Sequence, residues 1–272
     1  MQQFSTSPIA LIHSLYQNRN LINALVRREV VGRYRGSMFG TLWSFINPLI
    51  MLCVYGFFFS VVFKARWAGG NGTKSEFALI LFIGMIVFNV FAECFNRAPG
   101  LVVSNSSYVK RVVFPLEILP VVALGAAFFH FIVGFVVWLM FYIVVEGLPH
   151  PSLLLLPVIL LPFALFILGL SWIIASLGVF LRDVSQVVGV LTTALMFLTP
   201  IFFSAASLPA QYQVLIHLNP IAVVVEMVRS VAIFGVGVNL KLFALCAVMS
   251  GLTCCIGFAW FQKTRKGFSD VL

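Results

Sequence analysis

Two stretches of this chain, Ile118–Val145 and Leu153–Phe180, each run for 28 residues without one Asp, Glu, Lys or Arg. A helix needs about 20 mostly apolar residues to cross a hydrocarbon core of roughly 30 Å, so each stretch is long enough to span a bilayer. Neither alternates in polarity as a barrel strand must, and in lipid only a helix or a closed barrel satisfies its own backbone. The same length criterion yields four more spans, Met38–Phe63, Phe77–Asn96, Val184–Phe203 and Leu242–Phe261. Pro157, Pro162 and Pro200 lie in or near these spans, where neighbouring helices can satisfy the carbonyls they free. Composition agrees: 61% of the residues are hydrophobic and 9% charged, against about a quarter charged in a soluble domain. The surplus apolar surface has to face lipid. The fold class is therefore all-α, a polytopic integral membrane protein with six transmembrane helices in a single domain over residues 1–272.

The chain carries 17 Lys and Arg against 8 Asp and Glu, a net charge of +9. These basic residues cluster at the ends of apolar runs, which marks membrane topology and lipid headgroups rather than nucleic acid. With the amino terminus inside, Arg19, Arg27, Arg28, Arg33, Arg35, Arg97, Lys110, Arg111, Arg182, Lys263, Arg265 and Lys266 fall on the cytoplasmic side. Lys64, Arg66, Lys74, Arg229 and Lys241 fall outside. Twelve against five satisfies the positive-inside bias, and both termini are expected in the cytoplasm. Residues 1–36 contain no apolar stretch of signal-peptide length, in keeping with that orientation.

Residues 204–241 resist a simple count of spans. Their apolar piece Pro220–Val236 is broken by Glu226 and Arg229, which stand three apart and can pair on one helix face. A seventh span would put the basic carboxyl terminus outside. The segment therefore reads as two short helices that dip into the outer leaflet and return, a re-entrant arrangement tolerated only against protein or a wet cavity. Near the amino terminus, Ile22, Leu25, Val26 and Val30 mark one apolar helix face, with Arg27 and Arg28 pointing away from it. A basic amphipathic helix of this kind lies in the interface plane. The expected organisation is a cytoplasmic interfacial segment over 1–37, spans one to five over 38–203, the re-entrant segment over 204–241, span six over 242–261 and a cytoplasmic tail over 262–272.

No Gly-rich loop ending in Gly-Lys-Ser/Thr occurs, so ATP and its Mg would be bound by another chain. No cofactor, metal or catalytic role is expected for this chain itself. Cys53, Cys94, Cys246, Cys254 and Cys255 sit in apolar runs without metal-ligand spacing. Among His13, His130, His150 and His217, His130 stands out because it lies inside an uncharged span. It is either a functional group or a neutral histidine bonded to a neighbouring helix. A membrane enzyme such as a lipid-linked sugar transferase or acyltransferase would show paired acids or a His–Asp cluster. Asp183 and Asp270 are the only aspartates, and no such cluster appears.

Polar residues inside the spans form stripes. Thr41, Ser44, Pro48, Met51 and Tyr55 recur at three- and four-residue steps in the first span, and Ser185, Gly189, Thr192, Met196, Thr199 and Phe203 do so in the fifth. Asn89, Glu93 and Asn96 share a face of the second. Two readings stay open. Small and hydroxylated residues on one face allow close helix packing. They also line a hydrated path, a reading favoured by Trp43, Tyr55, Phe197, Phe202 and Phe203 near the stripes.

Four blocks resemble ABC-2 class permeases, in family order and over most of the chain. Leu25-Val-Arg-Arg-Glu-Val-Val-Gly-Arg-Tyr-Arg-Gly-Ser-Met-Phe-Gly-Thr-Leu-Trp43 is similar to the start of their first span. Asn105-Ser-Ser-Tyr-Val-Lys-Arg-Val-Val-Phe-Pro-Leu-Glu-Ile-Leu-Pro120 is similar to their loop between spans two and three, with Ser106-Ser107 departing from the usual Pro and polar residue before the tyrosine. Phe180-Leu-Arg-Asp-Val-Ser-Gln186 with Leu198-Thr-Pro-Ile-Phe-Phe203 resembles the two ends of their fifth span. Leu218-Asn-Pro220, followed by Glu226 and Arg229, resembles the segment before their last span. The chain looks most like the Wzm-type subgroup, permeases for O-antigen, capsule and teichoic acid.

This resemblance implies a homodimer in the bacterial inner membrane, joined to two cytoplasmic ABC ATPase subunits. It implies export of long polysaccharide on an undecaprenyl diphosphate-type lipid, with teichoic acid, capsule or a smaller lipid or drug as alternatives. Spans one and five would line the channel through Thr41, Ser44, Met51, Tyr55, Ser185, Thr192, Met196, Thr199 and Phe203. The short helices carrying Glu226 and Arg229 would sit at its outer mouth, and the interfacial and loop helices would contact the ATPases. In the loop, Asn105 and Ser106 can cap a short helix. Tyr108, Val109 and Val112 then form an apolar knob with Lys110 and Arg111 at its rim, and Pro115 ends the segment so that the knob pulls on the third span. Arg33 and Arg35 flank Tyr34 at inner-headgroup depth, either as a diphosphate site suited to guanidinium forks or as a positive-inside anchor.

Overall fold

The structure, a computed structural model, describes residues 5–58, 67, 73–109 and 114–272. Its centre is α4, Lys74–Arg97. Thr73 starts this helix by accepting from the Glu76 N–H at 3.3 Å, with Glu76 at the third helical position as in a capping box. Every residue from Glu76 to Phe88 is buried. A helix that is apolar all round has to be surrounded, and α4 is packed by α3 (Trp43–Tyr55), α6 (Ile118–Glu146), α7 (Leu156–Phe180), α8 (Val184–Leu198) and α10 (Pro220–Ala232).

Five helical stretches are long and apolar enough to cross a membrane: Gly40–Phe58, Lys74–Gly100, Ile118–Glu146, Pro151–Phe180 and Leu240–Val271. They fall on the first, second, third, fourth and sixth expected spans, although residues 59–63 of the first lie outside the described set. The fifth expected span, Val184–Phe203, needs correction. Its helix α8 ends at Leu198 after 15 residues, a rise of about 22 Å at 1.5 Å per residue. The cause is Pro200, which disfavours helical backbone at the residue before it. Thr199 is extended, with ψ 135°. All described secondary structure is helical, with no strand among the described residues.

After this break come α9 (Ala210–Leu218) and α10, joined at Asn219. The Asn219 side chain caps α10 by accepting from the Ile221 and Ala222 N–H groups at 3.0 and 3.4 Å, and Pro220 opens the helix where no N–H is needed. The last long helix, α11 (Leu240–Thr264), lies along α7. Their backbones touch at Gly169 and Gly257: a Cβ on Gly257 would stand 2.1 Å from the Gly169 carbonyl oxygen. At the amino end, α1 (Pro8–Gln17) leads into α2 (Arg19–Tyr34). Helix α2 turns Leu25, Val30 and the half-buried Ile22 and Val26 inward, and Leu25 packs with Ile118 and Val122 of α6, while Arg27 and Arg28 stay exposed.

Candidate functional site

A cavity of about 590 Å³ opens between α3, α4 and α6, closed at one end by the last residues of α2. Helix α3 contributes Ser44, Asn47, Met51 and Tyr55, helix α4 contributes Asn89, Glu93 and Asn96, and α6 contributes His130. On α4 the steps from 89 to 93 to 96 are four and three residues, which stacks these side chains on one face.

Glu93 is the hub. Its Oε1 is ion-paired with Arg33 Nη2 and lies 3.7 Å from Arg97 Nη1, four residues on. Its Oε2 lies 3.1 Å from His130 Nδ1. Arg97 Nη2 is paired in turn with Glu29 of α2. Arg33 Nη1 also approaches His130 Nδ1, at 3.1 Å. A single ring nitrogen cannot accept from Arg33 and donate to Glu93 at once, so the proton on Nδ1 selects the partner. His130 Nε2 is buried and has no hydrogen-bond partner among the described residues. Two guanidinium groups face two carboxylates, so the cluster is neutral when His130 is neutral. Tyr34 meets the His130 ring edge-on at 6.1 Å. Burial raises the Tyr34 phenol above its ordinary pKa, with Arg33 lowering it and Glu93 raising it by lesser amounts. It therefore stays a neutral hydroxyl at pH 7.

The expected channel residues separate by location. Ser44, Met51 and Tyr55 face the cavity, whereas Thr41 is exposed beside it and its carbonyl accepts from Ser44 Oγ at 2.7 Å. On α8 the inner hydroxyl of Thr192 donates to Asn96 Oδ1 at 3.0 Å, which binds α8 to α4. Thr199 is buried and its hydroxyl accepts from Asn219 Nδ2 at 3.1 Å. Ser185 is exposed, and Met196 and Phe203 are half-buried. Arg33 and Tyr34 border the cavity, and Arg35 points out to the surface.

Arg229, counted among the outward-side charges and expected to pair with Glu226 on the re-entrant helices, makes that pair at 2.9 Å. Its side chain is fully buried, because the break at Pro200 releases carbonyls that need donors. Arg229 Nη2 donates to the Ile201 carbonyl at 2.9 Å, Nε to the Ile80 carbonyl at 3.1 Å, and Nη1 to the Pro200 carbonyl and to Glu226 Oε1, the last at 2.9 Å. Its guanidinium carbon lies 4.5 Å from the centre of the Trp67 ring. Gly84 makes the room, since a Cβ there would meet Nη2 at 2.5 Å.

In the loop after α4, Asn105 Nδ2 donates to the Leu101 carbonyl at 2.8 Å and Ser106 begins the four-residue helix α5, Ser106–Val109. Tyr108 stacks on Phe114 at 4.2 Å, and its hydroxyl accepts from Arg28 Nη1 at 3.1 Å. The loop helix therefore touches α2. Lys110, Arg111 and Val112 lie outside the described residues. Farther on, Glu117 accepts from Ser14 Oγ at 2.8 Å and from Arg265 Nη1 at 2.7 Å. Arg265 Nη2 donates to the Phe114 carbonyl at 2.7 Å. Glu29, Arg97 as a network member, Glu117 and Arg265 were not singled out from the sequence. Charges at span ends look like topology anchors, and their partners lie 60 to 150 positions away.

A bundle of apolar helices around a charge-lined cavity, with its loops tied together at one end, is the build of a membrane transport domain. The ABC-2 type transporter family matches residues 20–233, and the chain belongs to that family. Its relatives include the O-antigen export system permease protein RfbA of Klebsiella pneumoniae, 25% identical over 93% of this chain and 95% of that one. The protein of the same name from Myxococcus xanthus is 28% identical, covering 78% and 80% of the two chains. The polysialic acid transport protein KpsM of Escherichia coli is 26% identical, covering 90% and 93%.

Proposed function

We propose that this chain is the membrane-spanning permease of an ABC exporter that moves lipid-linked polysaccharide of the O-antigen kind across the bacterial inner membrane. The observation that carries this reading is the similarity, over nearly the whole of both chains, to O-antigen export permeases. ATP hydrolysis belongs to a separate pair of cytoplasmic ATPase subunits. The chain forms one transmembrane domain with both termini cytoplasmic, in which α8 and the turn that follows it, residues 199–203, together make the short fifth of six spans. Helices α9 and α10 form the re-entrant segment at the outer face. Helix α2 lies at the inner interface.

The working unit is a homodimer. Helix α3 leaves Leu49, Ile50 and Val54 exposed, and α8 leaves Val187, Val190 and Leu191 exposed. These bare faces suit a second copy of the chain as well as lipid. Between the copies, Thr41 and Ser185 would face the polymer. Arg33, Tyr34 and Arg35 receive the diphosphate of the carrier lipid. Tyr108 and Val109, with Lys110, Arg111 and Val112, dock the ATPase. Capsule polysaccharide is a second cargo reading, favoured by similarity to a capsule polysaccharide export inner-membrane protein, 28% identical over 93% of this chain.

The test is removal of the gene from a cell that displays its glycan. Surface polymer should vanish and lipid-linked polymer accumulate inside, with both restored by the returned gene. Undiminished surface polymer in the deletion strain would sink the proposal.

A further inference from the structure

The charge cluster in the cavity wall beside the end of α2 has the make-up of an anion site that is already filled from within. Arg33, Arg97 and His130 converge on one carboxylate, Glu93, whose side chain is 18% exposed while that of Arg33 is 38% exposed. Behind them lies the cavity of about 590 Å³, within the range of roughly 300 to 1,000 Å³ usual for small-molecule sites. We infer that Glu93 is a resident counter-anion, holding a diphosphate-binding site closed until a diphosphate takes Arg33 from it. This deepens the export reading, on which it rests for the identity of the headgroup.

The exchange is chemically balanced. A diphosphate carries more charge than a carboxylate and matches the planar fork of arginine with two parallel hydrogen bonds. Glu93 is not stranded when Arg33 leaves. His130 Nδ1 is already 3.1 Å from Glu93 Oε2 and, in the Nδ1–H tautomer, donates to it. Arg97 stands 3.7 Å from the other oxygen. A buried carboxylate abandoned by every partner would be strongly unfavourable, and these two groups remove that obstacle. The bland rival is a static staple between α2 and α4.

Calorimetric titration of the full-length chain in lipid nanodiscs separates the two. The probes are inorganic pyrophosphate and farnesyl diphosphate, with farnesol as a control. Glu93→Gln should bind pyrophosphate about tenfold tighter than the unaltered chain, a coupling of ordinary size. Adding Arg33→Gln should abolish that binding. Farnesyl diphosphate binding more tightly than pyrophosphate supports a lipid headgroup, and equal affinities support a free diphosphate at the same site. Pyrophosphate affinity unchanged or weakened in Glu93→Gln would overturn the inference in favour of the staple.

Should that variant not fold, a second measurement decides. With the exposed Cys53 and Cys255 replaced, Asn47→Cys on the cavity wall should be protected from maleimide by pyrophosphate. Absence of protection overturns the site. Glycan export measured in the same variants keeps the two readings apart: export without pyrophosphate binding removes the site and leaves the exporter standing.

Discussion

A guanidinium with no exposure to solvent must find acceptors for its N–H groups inside the protein, and Arg229 finds them on three elements. It supplies donors to the carbonyls at 200 and 201, where Pro200 has ended α8, and joins that break to α4 and α10. Replacing it with Ala would leave these carbonyls and Glu226 without their donor. The Glu226 side chain is 37% exposed and water can take over its pairing, so the cost falls on the buried carbonyls, about 1–3 kcal/mol for one left without a donor. Arg229→Ala is therefore expected to lower the thermal midpoint of the purified protein sharply, and Arg229→Lys to recover only part of it, because an ammonium cannot reach acceptors in a fixed planar fork. A midpoint equal to that of the unaltered chain would show that water satisfies the break instead. The spacing of Glu226 and Arg229 was readable as a helical pair. The Ile80 carbonyl, 149 positions earlier, was not, since nothing in a linear pattern marks a backbone acceptor. Likewise Asn89, Glu93 and Asn96 were legible as one polar face, but Arg33 as a partner of that face was not.

Helix boundaries followed from hydropathy wherever a run was long and uninterrupted. The third expected span begins at Ile118 and the fourth ends at Phe180, and so do α6 and α7. The fifth departed because apolar length says nothing about a proline's effect on the residue before it. The close approach of α7 and α11 was equally hidden, since a glycine in an apolar run looks the same whether a backbone lies against it or not. The structure makes the distinction testable. A Cβ on Gly257 would stand 2.1 Å from the Gly169 carbonyl oxygen, in contact with backbone that cannot give way, whereas Gly189 and Gly251 have nothing within 4 Å. Gly257→Ala should therefore push the two helices apart, with a cost of about 1–3 kcal/mol as for other overpacked sites. Gly251→Ala should be neutral or stabilising by up to about 1 kcal/mol, through helix propensity. Thermal unfolding of the two variants side by side checks this, and equal midpoints would contradict the backbone contact.

At the scale of the whole molecule, four helices are tied together at Glu117. Helix α1 reaches it through Ser14, α7 through the Trp172 indole N–H on its carbonyl at 3.0 Å, and α11 through Arg265, the residue that caps its end, while α6 begins at the next residue. The loop that carries α5 enters at the same place: Tyr108 stacks on Phe114, and the Phe114 carbonyl accepts from Arg265. On the proposed reading this is the face toward the ATPases. A nucleotide bound there can shift the spans only if some contacted element differs between the two states. On that reading a displacement of α5 would pass through Phe114 and Glu117 to the start of α6 and the end of α11 together, with docking and transmission on different residues. Tyr108→Asp is expected to weaken the hold on the ATPase itself, because it removes the stacked ring and adds charge at the docking helix. Arg265→Gln severs the clamp behind that helix without touching its outer surface. The Arg265→Gln chain should insert and co-purify with its ATPase at normal yield, yet export should fall about tenfold, equivalent to roughly 1.4 kcal/mol of lost coupling. Normal export from that variant would take the clamp out of the pathway. Loss of co-purification would instead make Arg265 part of the docking surface, and the division between the two roles would fail.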